Sequence, residues 1–176
     1  MKSILGRPIS VRSVVAVAAA TLLFVSNPIF AYDEPDNFAG VKFGQDVTAQ
    51  LPNCHESSAY LNKKPCWQEL TKGEHGELKN MGEIQNLVEG IFYRQIDNKF
   101  EYVSLYFRSE KASALLDIFK TRYGAPTYIA ERPWPSKGGV KTTFIYAEWI
   151  GTNVSILFEG RGSSIDRGYI AYVTKK

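Results

Sequence analysis

Hydrophobic and polar residues alternate most regularly in the second half of the chain. Leu87 to Ile96 and Phe100 to Arg108 are rich in β-branched and aromatic residues, which favour strands. Asp97-Asn98 between them is typical of a tight turn, because both residues tolerate a left-handed backbone. The pattern therefore predicts an antiparallel hairpin.

The second strand of this hairpin assigns its side chains to two faces, because successive residues of a strand point to opposite sides. Val103, Leu105 and Phe107 are predicted to point to one face. The opposite face is predicted to carry Phe100, Tyr102, Ser104 and Tyr106.

A single amphipathic helix is predicted to follow the hairpin. Ser109 is the expected N-cap, and Gly124 and Pro126 supply a left-handed end and a stop. The apolar residues recur at helical spacing and form one face, consisting of Ala112, Leu115, Leu116, Phe119 and Tyr123.

The remaining strands are predicted at Thr127 to Ala130, Lys141 to Ile150, Asn153 to Glu159 and Tyr169 to Val173. The segment 32–86 is polar and predicted to be loop-rich, with short strands at Phe38 to Phe43 and Glu77 to Ile84. The fold class is thus α+β, with one main helix packed in two layers on a mostly antiparallel sheet of about five or six strands. Residues 87–176 form the predicted hairpin-helix-hairpin core of a single domain, 32–176.

The first 31 residues have the pattern of a signal peptide. Lys2, Arg7 and Arg12 precede an apolar run from Val14 to Val25, and Ala31 is a small residue suited to cleavage. The run is too short to span a bilayer, which needs about 20 apolar residues. We therefore expect a periplasmic or secreted protein without stable membrane insertion after cleavage, the alternative being an uncleaved anchor.

The formal charge of +3 belongs to this segment. Without it, 18 Lys and Arg residues face 18 Asp and Glu residues. A neutral domain without a basic cluster lacks the electrostatic surface on which nucleic-acid binding depends. Nucleic acid is therefore excluded as an expected partner.

Cys54 and Cys66 are the only cysteines of the chain. An even pair in an exported protein is expected to form a disulfide, which here closes a polar segment with no periodicity of its own. A catalytic dithiol would favour a Cys-x-x-Cys spacing, so the pair is interpreted as structural.

Candidate catalytic groups are few. His55 and His75 lie in polar segments, and no spacing brings them together as metal ligands. Gly160 to Ser164 resembles a phosphate-binding loop, but it joins two predicted strands and not a strand to a helix N-terminus. The sequence predicts no metal, no cofactor and no enzymatic activity.

Aromatic content stands out, since 21 of the 23 aromatic residues follow the predicted signal peptide. Tyrosine and tryptophan are enriched at interfaces. The candidate binding residues are Phe100, Tyr102 and Tyr106 on one strand face, and Trp134 between two prolines. The competing interpretation is that the N-terminal third covers this face.

Three classes of function are compatible with the sequence. The favoured one is a non-catalytic exported binding protein, such as an inhibitor, an immunity or exclusion factor, or an envelope assembly accessory, whose partner is another envelope or secreted protein. The second is a small envelope-acting hydrolase, which requires His55 or His75 to lie in a concave site. The third is a structural component of a surface or secretion assembly, which self-association at a sheet edge would favour.

Overall fold

A computed structural model describes residues 32–56, 58–71, 74–134, 142–161 and 166–175, so the predicted signal peptide lies outside the described residues. The strands are β1 Asn37–Phe38, β2 Val41–Lys42, β3 Cys66–Thr71, β4 His75–Lys79, β5 Gly90–Ile96, β6 Lys99–Arg108, β7 Tyr128–Trp134, β8 Thr142–Trp149, β9 Val154–Glu159 and β10 Arg167–Thr174. The helices are α1 Val47–Gln50 and α2 Ala112–Tyr123, and short 3-10 turns span Gly82–Asn86 and Ser109–Lys111.

Eight strands form one antiparallel sheet in the order β3-β4-β5-β6-β10-β9-β8-β7, while β1 and β2 pair separately. The predicted α+β class with one main helix is confirmed. The predicted number of strands is wrong, because β3 and β4 extend the sheet from the segment predicted to be loop-rich. Both strands are short, β3 carries polar side chains on both faces, and one face of β4 has only Gly76 and Leu78, so their sequences show little of the apolar alternation by which strands are recognised.

The predicted hairpin is present as β5 and β6. Asp97 and Asn98 have φ values of 51° and 58°, as a type I′ turn requires at both central residues. The helix begins later than expected, since Ser109 starts a 3-10 turn and α2 begins at Ala112. It ends at Tyr123, and Gly124 follows with a φ of 80°, in the region that favours glycine.

One face of the sheet, called the core face below, carries the main hydrophobic core. Its buried side chains are Leu78, Ile91, Tyr93, Val103, Leu105, Phe107, Ala147, Trp149, Val154, Ile156, Phe158, Ile170 and Tyr172. The same cluster contains all the buried residues of α2. The ring of Phe119 lies 5.9 Å from Trp149 and 6.1 Å from Tyr172, and the Trp149 indole N–H donates to the Gly124 carbonyl at 2.9 Å.

The N-terminal segment packs on this same face. Phe38 contacts the ring of Tyr172 at 5.2 Å, and Val41 and Val47 are buried in the core cluster. The Glu34 carboxylate accepts the backbone N–H groups of Thr152 to Val154 in the β8–β9 turn. Residues of the N-terminal third and of α2 therefore belong to the same buried cluster as the core face of the sheet.

Phe100 belongs to the core face, and its predicted position beside Tyr102 and Tyr106 is wrong. Arg94 is opposite Tyr102 but Gln95 is opposite Phe100, so the ladder shifts by one residue in this hairpin. Such a bulge reverses the alternation on one side of it. Phe100 is consequently fully buried and stacks on Phe43 with ring centroids 5.0 Å apart.

The predicted disulfide between Cys54 and Cys66 is present, with Cα atoms 5.1 Å apart. Together with Ala59 it forms a small buried cluster separate from the main core. Helices of the described residues are all too short or too polar to cross a membrane.

Candidate functional site

The second face of the sheet, called the open face, consists of the side chains that alternate with those of the core face. The register of β5, β6 and β10 places three rows side by side on it. These rows consist of Gly90, Tyr106 and Tyr169, then Phe92, Ser104 and Ala171, then Arg94, Tyr102 and Val173. The large side chains of this face therefore surround the small residues Gly90, Ser104 and Ala171.

Four rings form a continuous patch on the open face, called the aromatic strip: Phe92, Tyr102, Tyr106 and Tyr169. The Tyr106 ring lies 5.8 Å from Phe92 and 5.4 Å from Tyr169, and the Tyr102 and Tyr169 hydroxyls are hydrogen-bonded. Tyr106 is 40% exposed. Burial raises the pKa of Tyr169 although the Arg94 cation opposes it, so the hydroxyl stays protonated at neutral pH.

A depression of about 350 Å³ lies on one side of Phe92 and is lined by Glu89, Gly90, Tyr106 and Arg167. The Glu89 carboxylate binds two cations, the Arg167 Nε at 3.1 Å and the Arg108 Nε at 2.8 Å. This depression combines an apolar wall with a charged rim, the mixture common at ligand and interface sites.

A second depression, of about 270 Å³, lies on the other side of Phe92. His75, Arg94, Tyr102 and Ser104 line it, and the Arg94 guanidinium lies 5.4 Å from the centre of the Tyr102 ring. Ser104 forms its floor and is only 5% exposed. Aromatic walls and polar groups thus alternate across both depressions.

The outer part of the open face, on β7 and β8, carries another aromatic group. The Arg132 guanidinium lies 3.1 Å above the Tyr146 ring, and Tyr128 contacts that ring edge-on at 6.0 Å. The Tyr146 hydroxyl donates to the Glu148 carboxylate. Burial and then Glu148 raise the pKa of Tyr146, so this group also stays neutral at physiological pH.

The structure separates the four predicted binding residues. Tyr102 and Tyr106 lie in the aromatic strip, whereas Phe100 lies in the core for the reason given above. The backbone of Trp134 ends β7 opposite Thr142, and its side chain lies outside the described residues.

The histidines also differ. His55 is exposed in the disulfide loop, whereas His75 lies on β4 and lines the second depression, with its Nδ1 3.9 Å from the Glu74 carboxylate. No group of three or more potential ligands among the described residues could hold a metal ion. Most of the loop Gly160 to Ser164 lies outside the described residues, and Arg167 beside it is paired with Glu89.

Sequence reasoning missed Phe92 and Tyr169, half of the aromatic strip. Both occur in predicted strands, and their alternation with Ile91, Tyr93 and Ile170 was visible. Only the register, which places Tyr169 opposite Tyr106 and Phe92 opposite Ser104, reveals that four rings from three strands meet. Comparison with known proteins finds no matching family model, no matching curated protein and no matching solved structure.

Proposed function

We propose that this protein is a non-catalytic binding protein of the periplasm or the cell exterior, and that it binds another envelope or secreted protein through the aromatic strip. The observation that carries the proposal is the position of Phe92, Tyr102, Tyr106 and Tyr169 on the face opposite α2 and the N-terminal segment. In this proposal the helix and the sheet form two layers, and the sheet face that points away from the helix binds the partner.

The chemistry of the strip supports a protein partner. Tyrosine and arginine are enriched at binding hot spots, because each combines a large contact area with a polar end. The depressions on either side of Phe92 offer pockets for partner side chains, and the charged groups at their rims suit the polar margin of an interface.

The location outside the cytoplasm is supported by the disulfide, since such bonds persist in oxidising compartments. We expect the mature chain to begin near Tyr32. Intact-mass measurement of protein recovered from the periplasm or medium tests this, and a full-length mass in the membrane fraction would contradict it.

Binding is tested in two steps. The tagged protein is used to capture partners from its own envelope fraction, the captured protein is identified by mass spectrometry, and its affinity is then measured with purified components. We expect Tyr106→Ala and Tyr169→Ala each to weaken binding by about 2 kcal/mol, roughly 30-fold.

A matched control is Tyr60→Ala, because Tyr60 is 54% exposed but lies in the disulfide loop. It should leave the affinity unchanged. Equal affinity of all three variants, or losses that only follow a lowered melting temperature, would refute the aromatic strip as the binding site.

A hydrolase acting on envelope components is the second candidate, because His75 lines a depression with Ser104 and Tyr102. Incubation of the protein with isolated envelope material would then release soluble fragments, detected by mass spectrometry. His75→Gln should abolish that release, whereas a non-catalytic protein would release no fragments with or without His75.

A further inference from the structure

The two edges of the sheet differ in how they are covered. At the β3 edge, the Cys54 N–H donates to the Trp67 carbonyl at 2.8 Å and the Trp67 N–H donates to the Pro52 carbonyl at 3.1 Å. The strand is further interrupted by an irregularity between Glu69 and Thr71. The disulfide segment and this bulge protect the β3 edge from pairing with another chain.

The β7 edge has backbone groups that point outward. The Ile145 carbonyl accepts the Gly160 N–H at 2.7 Å, so the backbone groups of Ile145 point toward β9. Glu131 is opposite Ile145, and in an antiparallel ladder both members of such a pair turn their backbone groups away from each other. The N–H and C=O of Glu131 therefore point to the outer side of β7.

Because the direction of the backbone groups alternates along a strand, those of Ile129 and Pro133 also point to the outer side of β7. The position of Pro133 agrees with this, because proline has no N–H and is tolerated in a strand where that group would face outward. Within the described ranges no backbone hydrogen bond to another segment reaches Ile129 or Glu131 from this side. The side chains of Tyr128 and Ile129, on opposite faces, are each 47% exposed.

We propose that the β7 edge pairs antiparallel with β7 of a second copy of this chain, about a two-fold axis at Ala130. In this register Ile129 is opposite Glu131 of the second copy, and both residues have outward backbone groups, so they exchange hydrogen bonds in both symmetry-related pairs. This inference concerns a different surface from the aromatic strip and does not depend on the proposed function.

The side chains favour this register over its neighbours. It sets Tyr128 opposite Arg132 of the second copy on the open face, which allows a cation–π contact. A two-fold axis at Glu131 would place the Glu131 carboxylates of the two copies opposite each other. It would also place Pro133, which has no N–H, in a pair that requires a hydrogen-bond donor. An axis at Ile129 would pair the isoleucines but would remove the contact between tyrosine and arginine.

The dimer joins the two open faces into one continuous surface and therefore presents two aromatic strips. Pairing of a single short strand buries less surface than a standard stable interface, so we expect a weak dimer that forms with increasing concentration.

Analytical ultracentrifugation of the purified protein over a concentration series measures this association. Ile129→Glu should raise the dissociation constant about tenfold or more, because it places a second carboxylate directly opposite Glu131 of the other copy in both symmetry-related pairs. Leu70→Glu is the matched control, since Leu70 is 54% exposed at the β3 edge, and it should leave the constant unchanged. A monomer at every concentration, or weakening by Leu70→Glu alone, would overturn the proposal.

A cysteine cross-link tests the register independently. Ala130→Cys should form a disulfide-linked dimer under mild oxidation, because directly opposed side chains in a non-hydrogen-bonded pair approach closely enough. The native cysteines are bonded to each other and do not interfere. Leu70→Cys should remain unlinked, and linkage through Ile129→Cys in place of Ala130→Cys would refute the register.

Discussion

Both faces of the sheet carry aromatic residues, which are buried in the core on one face and partly exposed on the other. On β10, Tyr172 is buried in the core and its hydroxyl is 3.0 Å from that of Tyr123, whereas Tyr169 lies among the partly exposed rings of the open face. On β6, Phe100 is fully buried while Tyr106 is 40% exposed. Aromatic content alone therefore does not separate a core from a surface, and only the packing on each side does.

The largest expected contrast is between aromatic truncations on the two faces. Phe100→Ala should lower the free energy of unfolding by about 3 to 5 kcal/mol, because it leaves a cavity beside Phe43 and Tyr93. Tyr106→Ala should cost about 1 kcal/mol, the order of its ring contacts. Urea unfolding of both variants measures the difference, and equal losses would mean that the open face is also a core.

Removal of the disulfide tests whether the stability of the core face depends on the loop that Cys54 and Cys66 close. Replacing Cys54 and Cys66 by alanine should cost about 3 kcal/mol on the chain-entropy model. The loss of protection in hydrogen exchange should be confined to the loop and β3, since the disulfide cluster is separate from the main core. Equal deprotection of β6 and β10 would contradict this separation.

Gly168 and Gly90 allow the same substitution to be compared on the two faces of the sheet. A Cβ on Gly168 would lie 2.2 Å from the ring of Phe107 in the core, whereas on Gly90 it would lie 2.7 Å from the ring of Phe92 on the open face. Gly168→Ala should cost about 1 to 3 kcal/mol, because the buried ring cannot move aside. Gly90→Ala should cost about 0.5 kcal/mol, since Phe92 can turn toward solvent. Thermal unfolding of both variants tests this order.

The smallest predicted effect is pH-dependent and concerns how the N-terminal segment closes the core face. Burial opposes the charge of Glu34, but the backbone N–H groups of Val154, Thr152 and Asn153 outweigh it and lower the pKa of that carboxyl. A lowered pKa contributes stability above the ordinary carboxyl range, and this contribution is lost as the pH falls through the folded-state value.

Glu34→Gln should therefore be less stable than the native protein at neutral pH, and the difference should shrink in acid. Unfolding free energies across a pH series measure it, with Glu56→Gln in the exposed disulfide loop as the control. A difference that is independent of pH would show that the carboxylate charge is not what holds the turn.

Local chemistry made several elements predictable. Asp97-Asn98 predicts the β5–β6 turn because few residues adopt a positive φ, and Gly124 predicts the end of α2 for the same reason. The cysteine pair predicts its disulfide because the chain has no other partner for either thiol. Strand β3 was missed, and β4 was predicted only in part at Glu77 to Ile84, because the many polar residues on this outer part of the sheet weaken the apolar period.

The sequence by itself thus determined the α+β class, the main hairpin, the helix and the disulfide, since each depends on residues close in the chain or on a unique pair. Tertiary structure alone decided the number of strands, the meeting of Phe92, Tyr102, Tyr106 and Tyr169, and the burial of Phe100. The physical reason is that strand register and a one-residue bulge decide which face a side chain occupies, and both arise from pairing between distant segments.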